Sequence, residues 1–163
     1  MEKKKKTAPL AVALRLLYYR DRTINGLKKK LLEKGLSEDD ITNVLKVLIG
    51  DGLLNDERFA VDLASSRIRN KQWGPRKISM DLMRKGVPGE IADKVVSSLD
   101  RESVELSALK ALKKWTARKG LCLTEGLEAS DFKKAYHHLE SRGFSGELIL
   151  RLLHKSNNKA IAE

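Results

Sequence analysis

Apolar residues recur along the chain at helical spacing. Ile41, Val44, Leu45 and Leu48 fall at i, i+3, i+4 and i+7. So do Ala92, Val95, Val96 and Leu99, and again Phe132, Ala135, Tyr136 and Leu139. Residues at those intervals share one face of a helix with 3.6 residues per turn. Strict alternation of apolar and polar positions, the mark of a half-buried strand, occurs nowhere at useful length. The pattern predicts an all-α chain.

A longer period lies on top of the helical one. Lys34-Gly35-Leu36, Lys85-Gly86-Val87 and Arg142-Gly143-Phe144 each place a basic residue, a glycine and an apolar residue in a row. A leucine stands four residues before each glycine, at Leu31, Leu82 and Leu139, and another apolar-periodic segment opens after it, at Ile41, Ile91 and Leu148. The element recurs about every 50 residues, the signature of a repeat architecture. A basic residue in a last helical turn complements the macrodipole, and glycine just beyond takes the left-handed conformation that ends a helix. Ser37 with Asp40 resembles a capping box starting the next helix, and Pro88 and Ser145 stand at the matching places.

Each copy reads as three helices: 8–19, 24–34 and 38–49, then 56–70, 75–85 and 89–99, then 102–117, 131–142 and 146–154. Thr23 is positioned to cap the second helix of the first copy, Trp73-Gly74-Pro75 to open its counterpart, and Ser130-Asp131 to do so in the third. The organisation is then a basic tail over 1–7, repeats over 8–54, 55–100 and 101–155, and a C-terminal tail over 156–163. Residues 118–129 read as an irregular excursion on the surface of the third repeat. A three-helix unit of about 50 residues is marginal alone. Neighbours must cover one another's apolar faces, so the expected architecture is three tandem three-helix repeats in an elongated, curved right-handed-helix stack.

Composition narrows the partners. The 163 residues carry 33 Lys and Arg against 22 Asp and Glu, a formal net charge of +11. Such a surface gains counterion energy by meeting a polyanion: nucleic acid, an acidic protein face or an anionic membrane. The excess is larger after residue 56 than in the first repeat, apart from Lys3 to Lys6. No apolar run is long enough to span a membrane. The N-terminal residues read as a lysine tail on a helix rather than a signal peptide. The one cysteine, Cys122, has no CxxC or Cys/His cluster around it, so neither a bridge nor zinc is expected, and a reducing, cytoplasmic setting is.

Catalytic chemistry has little to build on. Adjacent His137 and His138 point about 100° apart on a helix. There is no HExxH and no P-loop, and Gly50-Asp51-Gly52 lacks the rest of a dinucleotide fingerprint. Asp39-Asp40 suits a helix N-terminus. The best constellation is basic: Arg67, Arg69, Lys71, Arg76 and Lys77, with Arg84 and Lys85 a helix further on. Arg67 and Lys71, four apart, share a face if the helix extends that far. Arginine makes bidentate bonds to phosphate or carboxylate, and lysine adds a less directional charge. The bland alternative for each is a solvated side chain. Trp73, inside the cluster, is expected to pack over the helix junction in preference to stacking on a base. Trp115, spaced with Val104, Ala108 and Ala111, belongs to a core. With eight aromatics in all, most needed for packing, no broad base-stacking platform is expected. Secondary basic candidates are Arg15, Arg20 and Arg22 around the first turn, Lys28 in the next helix, and Lys113 and Lys114. Cys122 reads as a small residue without a basic context for redox work.

The middle repeat also carries a resemblance. Leu54-Asn55-Asp56-Glu57-Arg58-Phe59-Ala60, Arg67-Ile68-Arg69, Trp73-Gly74-Pro75-Arg76-Lys77-Ile78, Leu82 and Arg84-Lys85-Gly86-Val87 closely resemble the central segment of the RecX family, bacterial regulators of the RecA recombinase. The first repeat is similar through Ala13-Leu14, Leu17, Tyr19-Arg20-Asp21-Arg22, Leu27, Leu31-Leu32 and Lys34-Gly35, and the third, more loosely, through Arg142-Gly143-Phe144. The likeness covers about residues 8–155, and 118–129 departs from it. It implies three tandem three-helix repeats, binding to RecA and its filament on single-stranded DNA, and suppression of RecA's ATPase, recombinase and coprotease activities in DNA repair and the SOS response. It implies no enzymatic activity and no cofactor. A monomer with at most weak direct DNA binding is the matching expectation. Two other classes compete: a stand-alone DNA-binding module of helix-turn-helix type, and an RNA- or ribosome-associated adaptor resting on charge alone.

Overall fold

The computed structural model describes residues 8–123 and 126–161, with side chains through residue 156. The predicted basic tail over 1–7, residues 124–125 of the predicted excursion and the last two residues of the C-terminal tail lie outside the described residues. Helices follow one another as α1 (Pro9–Tyr19), α2 (Ile24–Glu33), α3 (Glu38–Gly50), α4 (Asp56–Ser66), a π-turn (Arg67–Lys71), α5 (Pro75–Arg84), α6 (Gly89–Ser97), α7 (Arg101–Lys119), α8 (Ala129–Ser141) and α9 (Gly146–Ile161). No strand occurs among the described residues, as the periodicity predicts.

Three cores replace a single one. Val12, Ala13, Leu27, Leu31, Ile41, Val44, Leu48 and Leu54 close the first. Ala60, Ala64, Ile68, Ile78, Leu82, Val87, Ala92 and Val95 close the second. The third gathers around Leu112, Leu139, Phe144, Ile149 and Leu153.

The junctions show how the repeats are joined. Thr23 caps α2 by accepting from the amide of Gly26, and its hydroxyl donates to the carbonyl of Lys85, 2.7 Å away, at the end of α5. Asn25 donates to the carbonyl of Gly86. One repeat further on, the amides of Gly74 and Arg76 donate to the carbonyls of Arg142 and Gly143 at the end of α8, at 2.8 and 3.2 Å. The second helices α8, α5 and α2 thus run end to end. Each C-terminus gives its free carbonyls to donors at the N-terminus of the next, so two sets of orphan groups and two aligned dipoles are satisfied together. The contact is close: a Cβ on Gly74 would lie 2.5 Å from the backbone of Gly143 and Phe144, and one on Gly143 would overlap the backbone of Lys77.

Four expectations need correction. The first helix of the second repeat does not run regularly to residue 70. It ends at Ser66 and widens into the π-turn, which closes through Gln72 in the left-handed region at φ 49. The segment 118–129 is irregular over its described residues 120–123 and 126–128, as expected, but it is not confined to the surface: α7 continues to Lys119, and Leu127 is buried with Leu121 and Leu123 packed on the third core. Ser130-Asp131 does not cap α8, which starts at Ala129 after Glu128, while Asp131 pairs with Lys134 at 2.9 Å. The tail placed from residue 156 is helical to Ile161, because α9 runs on past His154.

Candidate functional site

The basic constellation of the second repeat is organised by an acid that the sequence reading left out. Asp81 sits on the inner side of α5, its side chain only 2% exposed. Arg67 donates to one of its oxygens at 2.8 Å and Arg84 to the other at 2.6 Å. Burial alone would raise the Asp81 carboxyl. The hydrogen bonds from Arg67 and Arg84, with the charges of Arg67 and Lys85, outweigh it and hold the group below the usual carboxylate range.

Arg67, a cation of this pairing, opens the π-turn. Arg67, at the start of the turn, is partly buried and bonded to Asp81 of α5, while Lys71 at its end is exposed, so the two do not act as the free cationic pair that the spacing suggests. Ile68 enters the core, and its carbonyl accepts from Ser107 of α7 at 3.1 Å. The turn is also clamped by the third repeat: Arg142 donates to the carbonyls of Lys71 at 2.7 Å and Gln72 at 3.3 Å.

Trp73 packs against the second core, as expected of a residue at a helix junction. The Arg67 guanidinium lies 5.2 Å from its ring centroid and the Lys77 ammonium 5.0 Å. Cation–π contacts of this kind contribute about 0.5–2 kcal/mol each. Lys77 also donates to the carbonyl of Ser141 at 3.0 Å. Trp73 is therefore locked by two cations, and Arg67 and Lys77 are structural as well as basic.

An open groove of about 820 Å³ runs along this junction, lined by Trp73, Arg76, Lys77, Met80, Arg84 and, across from them, Glu140 and Ser141. Arg76, Met80 and Arg84 are spaced four apart on α5 and form its outer row. The Arg76 side chain is exposed with no hydrogen-bond or ion-pair partner among the described residues, and Met80 is 67% exposed. With Asp81 also in the lining, Arg76, Lys77 and Arg84 stand against Asp81 and Glu140, a small positive excess beside the exposed apolar Met80, a chemistry matched to an acidic peptide or protein surface carrying an apolar side chain.

The remaining candidates fall elsewhere. Arg69 and Lys71 stay exposed on the π-turn. Lys85 lies at the other end of α5, where it lines the junction of repeats 1 and 2 together with Arg20 and Arg22. Arg15 is exposed on α1, Lys28 reaches Glu38 at 3.9 Å, and Lys113 and Lys114 are exposed on α7. Two residues were missed besides Asp81. Arg142 was read only as a helix-end charge, although it holds the π-turn. Arg58 lines the first junction. For Asp81 a signal existed: an acid at an apolar-periodic position between Ile78 and Leu82, three residues from Arg84. Among the described residues no group of three or more His, Cys, Asp or Glu is placed to hold a metal, and no described helix is long and apolar enough to cross a membrane.

Tandem three-helix units with docked second helices and a cationic groove define a helical-repeat binding protein. The comparisons agree in detail. The family model for the first three-helix domain of RecX matches residues 10–48, and that for its second three-helix domain matches residues 55–96. The chain is 37% identical over 144 residues to "Regulatory protein RecX" of Chlorobium limicola, covering 88% of this chain and 86% of the relative. It is 36% identical over 147 residues to the protein of the same name from Pelodictyon phaeoclathratiforme, covering 88% of each. Among solved structures, RecX from Lactobacillus salivarius superposes with a TM-score of 0.82 at 22% identity, over 92% of this chain and 95% of that one. A second crystal structure of regulatory protein RecX matches with a TM-score of 0.73 at 26% identity, over 86% of this chain and 67% of that one. The chain belongs to the RecX family.

Proposed function

We propose that this protein regulates the RecA recombinase by binding, without catalysis and without a cofactor, and that the groove of the second and third repeats is the surface that docks. Family membership supports a regulatory role. The unpartnered Arg76 beside exposed Met80, over a Trp73 fixed by two cations, is the observation that carries the assignment to this groove. Its chemistry suits an acidic face of RecA protomers presented along a filament on single-stranded DNA. Asp81 contributes by neutralising Arg67 and partly neutralising Arg84, so that Arg76 presents the groove's free guanidinium. A monomer acting in the cytoplasm lies along the filament and suppresses its ATPase, recombinase and coprotease activities, which places it in DNA repair and the SOS response.

The test is RecA's ATP hydrolysis on single-stranded DNA with increasing amounts of the pure protein. Inhibition at amounts below one per RecA protomer is expected. Unchanged hydrolysis, with no complex detectable between the two proteins, would refute the proposal.

A further inference from the structure

The end of α1 carries a feature that the regulatory groove does not use. Tyr18 and Tyr19 are 88% and 77% exposed, although tyrosine rings ordinarily bury most of their surface. Their centroids lie 6.0 Å apart in an edge-on arrangement, which leaves ring faces open to solvent. Two of the eight aromatics are therefore free of the packing duty that the sequence suggests for them, and they are adjacent. They contribute nothing visible to the three cores.

Directly after them the chain enters the junction of repeats 1 and 2, an open cleft of about 500 Å³. Arg20, Arg22, Arg58 and Lys85 line it, against Asp21 and Asp62. Leu17, one turn back on the tyrosine-bearing helix, lines it too. None of the four cations forms an ion pair among the described residues. Arg22 spends one donor on the carbonyl of Leu16, at 3.4 Å. Burial, with the nearby charge of Arg20, pulls the Arg22 guanidinium below its ordinary value. With four cations against Asp21 and Asp62, and Glu33 near Arg22, the cleft keeps a net positive charge that no ion pair among the described residues closes.

We propose that Tyr18 and Tyr19, with Arg20, Arg22, Arg58 and Lys85 in the adjoining cleft, form a binding site for single-stranded nucleic acid. Open aromatic faces stack on unpaired bases of any sequence, and neighbouring guanidinium groups take the phosphates. A duplex hides its base faces, so the ring pair selects single strands. The site spans the junction of the first and second repeats and shares no residue with the groove assigned to RecA. It would add a direct hold on the DNA of a filament to the hold on its protein.

The test uses the full chain without RecA, so that its outcome is separate from that of the regulatory reading. Fluorescence polarisation follows binding to labelled oligo-dT and oligo-U of about 15 nucleotides, and to a duplex of the same length. Both single strands are expected to bind more tightly than the duplex, and the preferred sugar identifies DNA or RNA as the source. Replacing both tyrosines by alanine is expected to weaken single-strand binding at least about tenfold, since each base–aromatic stack is worth about a factor of five or more. Tyr18→Phe with Tyr19→Phe keeps the rings and is expected to keep the affinity. Arg20→Gln with Arg58→Gln is expected to flatten the dependence of log affinity on log salt by about 0.7 per lost phosphate contact. Both tyrosines are solvated, so their replacement leaves the fold intact by thermal unfolding. Wild-type affinity in the alanine pair, a phenylalanine pair as weak as the alanine pair, or preference for the duplex would each overturn the proposal.

Discussion

Asp81→Asn is the substitution that most sharply separates a functional basic cluster from an architectural one. The carboxylate is 2% exposed and takes two charge-assisted hydrogen bonds, from Arg67 at 2.8 Å and Arg84 at 2.6 Å. Bonds to charged groups contribute about 1.5–3 kcal/mol when shielded. Arg67, 21% exposed, keeps that magnitude, whereas Arg84, 76% exposed, is solvated and adds less than about 1 kcal/mol. Asparagine keeps the shape and loses the charge, leaving a half-buried guanidinium without its counterion. The expected loss is about 2–3 kcal/mol. For a chain of this size that lowers the melting temperature by about 5–10 °C. The sign of the pH dependence is fixed as well. A carboxyl whose folded-state value is depressed stabilises the fold above its unfolded value, near 4, and loses that contribution as pH falls through the folded-state value. The gap between wild type and variant, followed by circular dichroism during urea and thermal unfolding, should be full at pH 7 and shrink below about pH 4. A variant within about 0.5 kcal/mol of wild type at pH 7 would refute the reasoning, since that is the range of an ordinary surface change.

Other substitutions probe the junctions. Gly143→Ala places a Cβ against the backbone of Lys77 at a φ of +87, so it should cost at least about 3 kcal/mol, while Gly35→Ala, at φ +78 with open space around it, should cost about 1–2 kcal/mol; equal losses in urea unfolding would contradict the end-to-end docking. Asp56 accepts from the amide of Ile24 at 2.8 Å, and burial raises its carboxyl, so Asp56→Asn should stay within about 1 kcal/mol of wild type while Asp56→Ala loses about 1–3 kcal/mol, both read by thermal unfolding at pH 7. His138 accepts from Arg142 at 3.1 Å, and burial with the charges of Arg142 and Arg118 pulls its imidazole below the ordinary value. The neutral form is the one that the fold favours, so its contribution is full above about pH 6.5 and falls away as pH drops toward the folded-state value. The melting temperature of wild type should therefore fall more steeply between pH 7 and 5 than that of His138→Gln.

The helices and their repeats were legible because they rest on local rules. Leu31, Leu82 and Leu139 before the three glycines mark one recurring turn, and Thr23 caps α2 where its side chain predicts. What escaped depends on partners distant in sequence. A regular helix to residue 70 is the natural reading of residues 56–70, because nothing local announces that Ser107 and Arg142 will supply the bonds that hold a π-turn. Asp81 looks like a solvated acid until Arg67, fourteen residues away, is seen on its oxygen. For the same reason Arg67 and Lys77 read as free charges, whereas in the fold they lock Trp73. Arg76 reads in the sequence only as one basic candidate among several, and its standing as the groove's unpartnered cation emerges only once its neighbours are paired off. Residues 118–129 misled in the opposite direction: Leu121, Leu123 and Leu127 lack helical spacing yet still pack on the third core.

The central claim is that the groove beside Trp73 docks on RecA. Arg76→Glu with Met80→Asp changes two exposed side chains that hold nothing in the fold, so the variant should melt with the wild type. Titrated against RecA hydrolysing ATP on single-stranded DNA, it should need at least about ten times more protein than wild type for half-maximal inhibition, the loss of about 1.4 kcal/mol or more that a central interface contact carries. A folded variant that inhibits at the wild-type concentration would contradict the account.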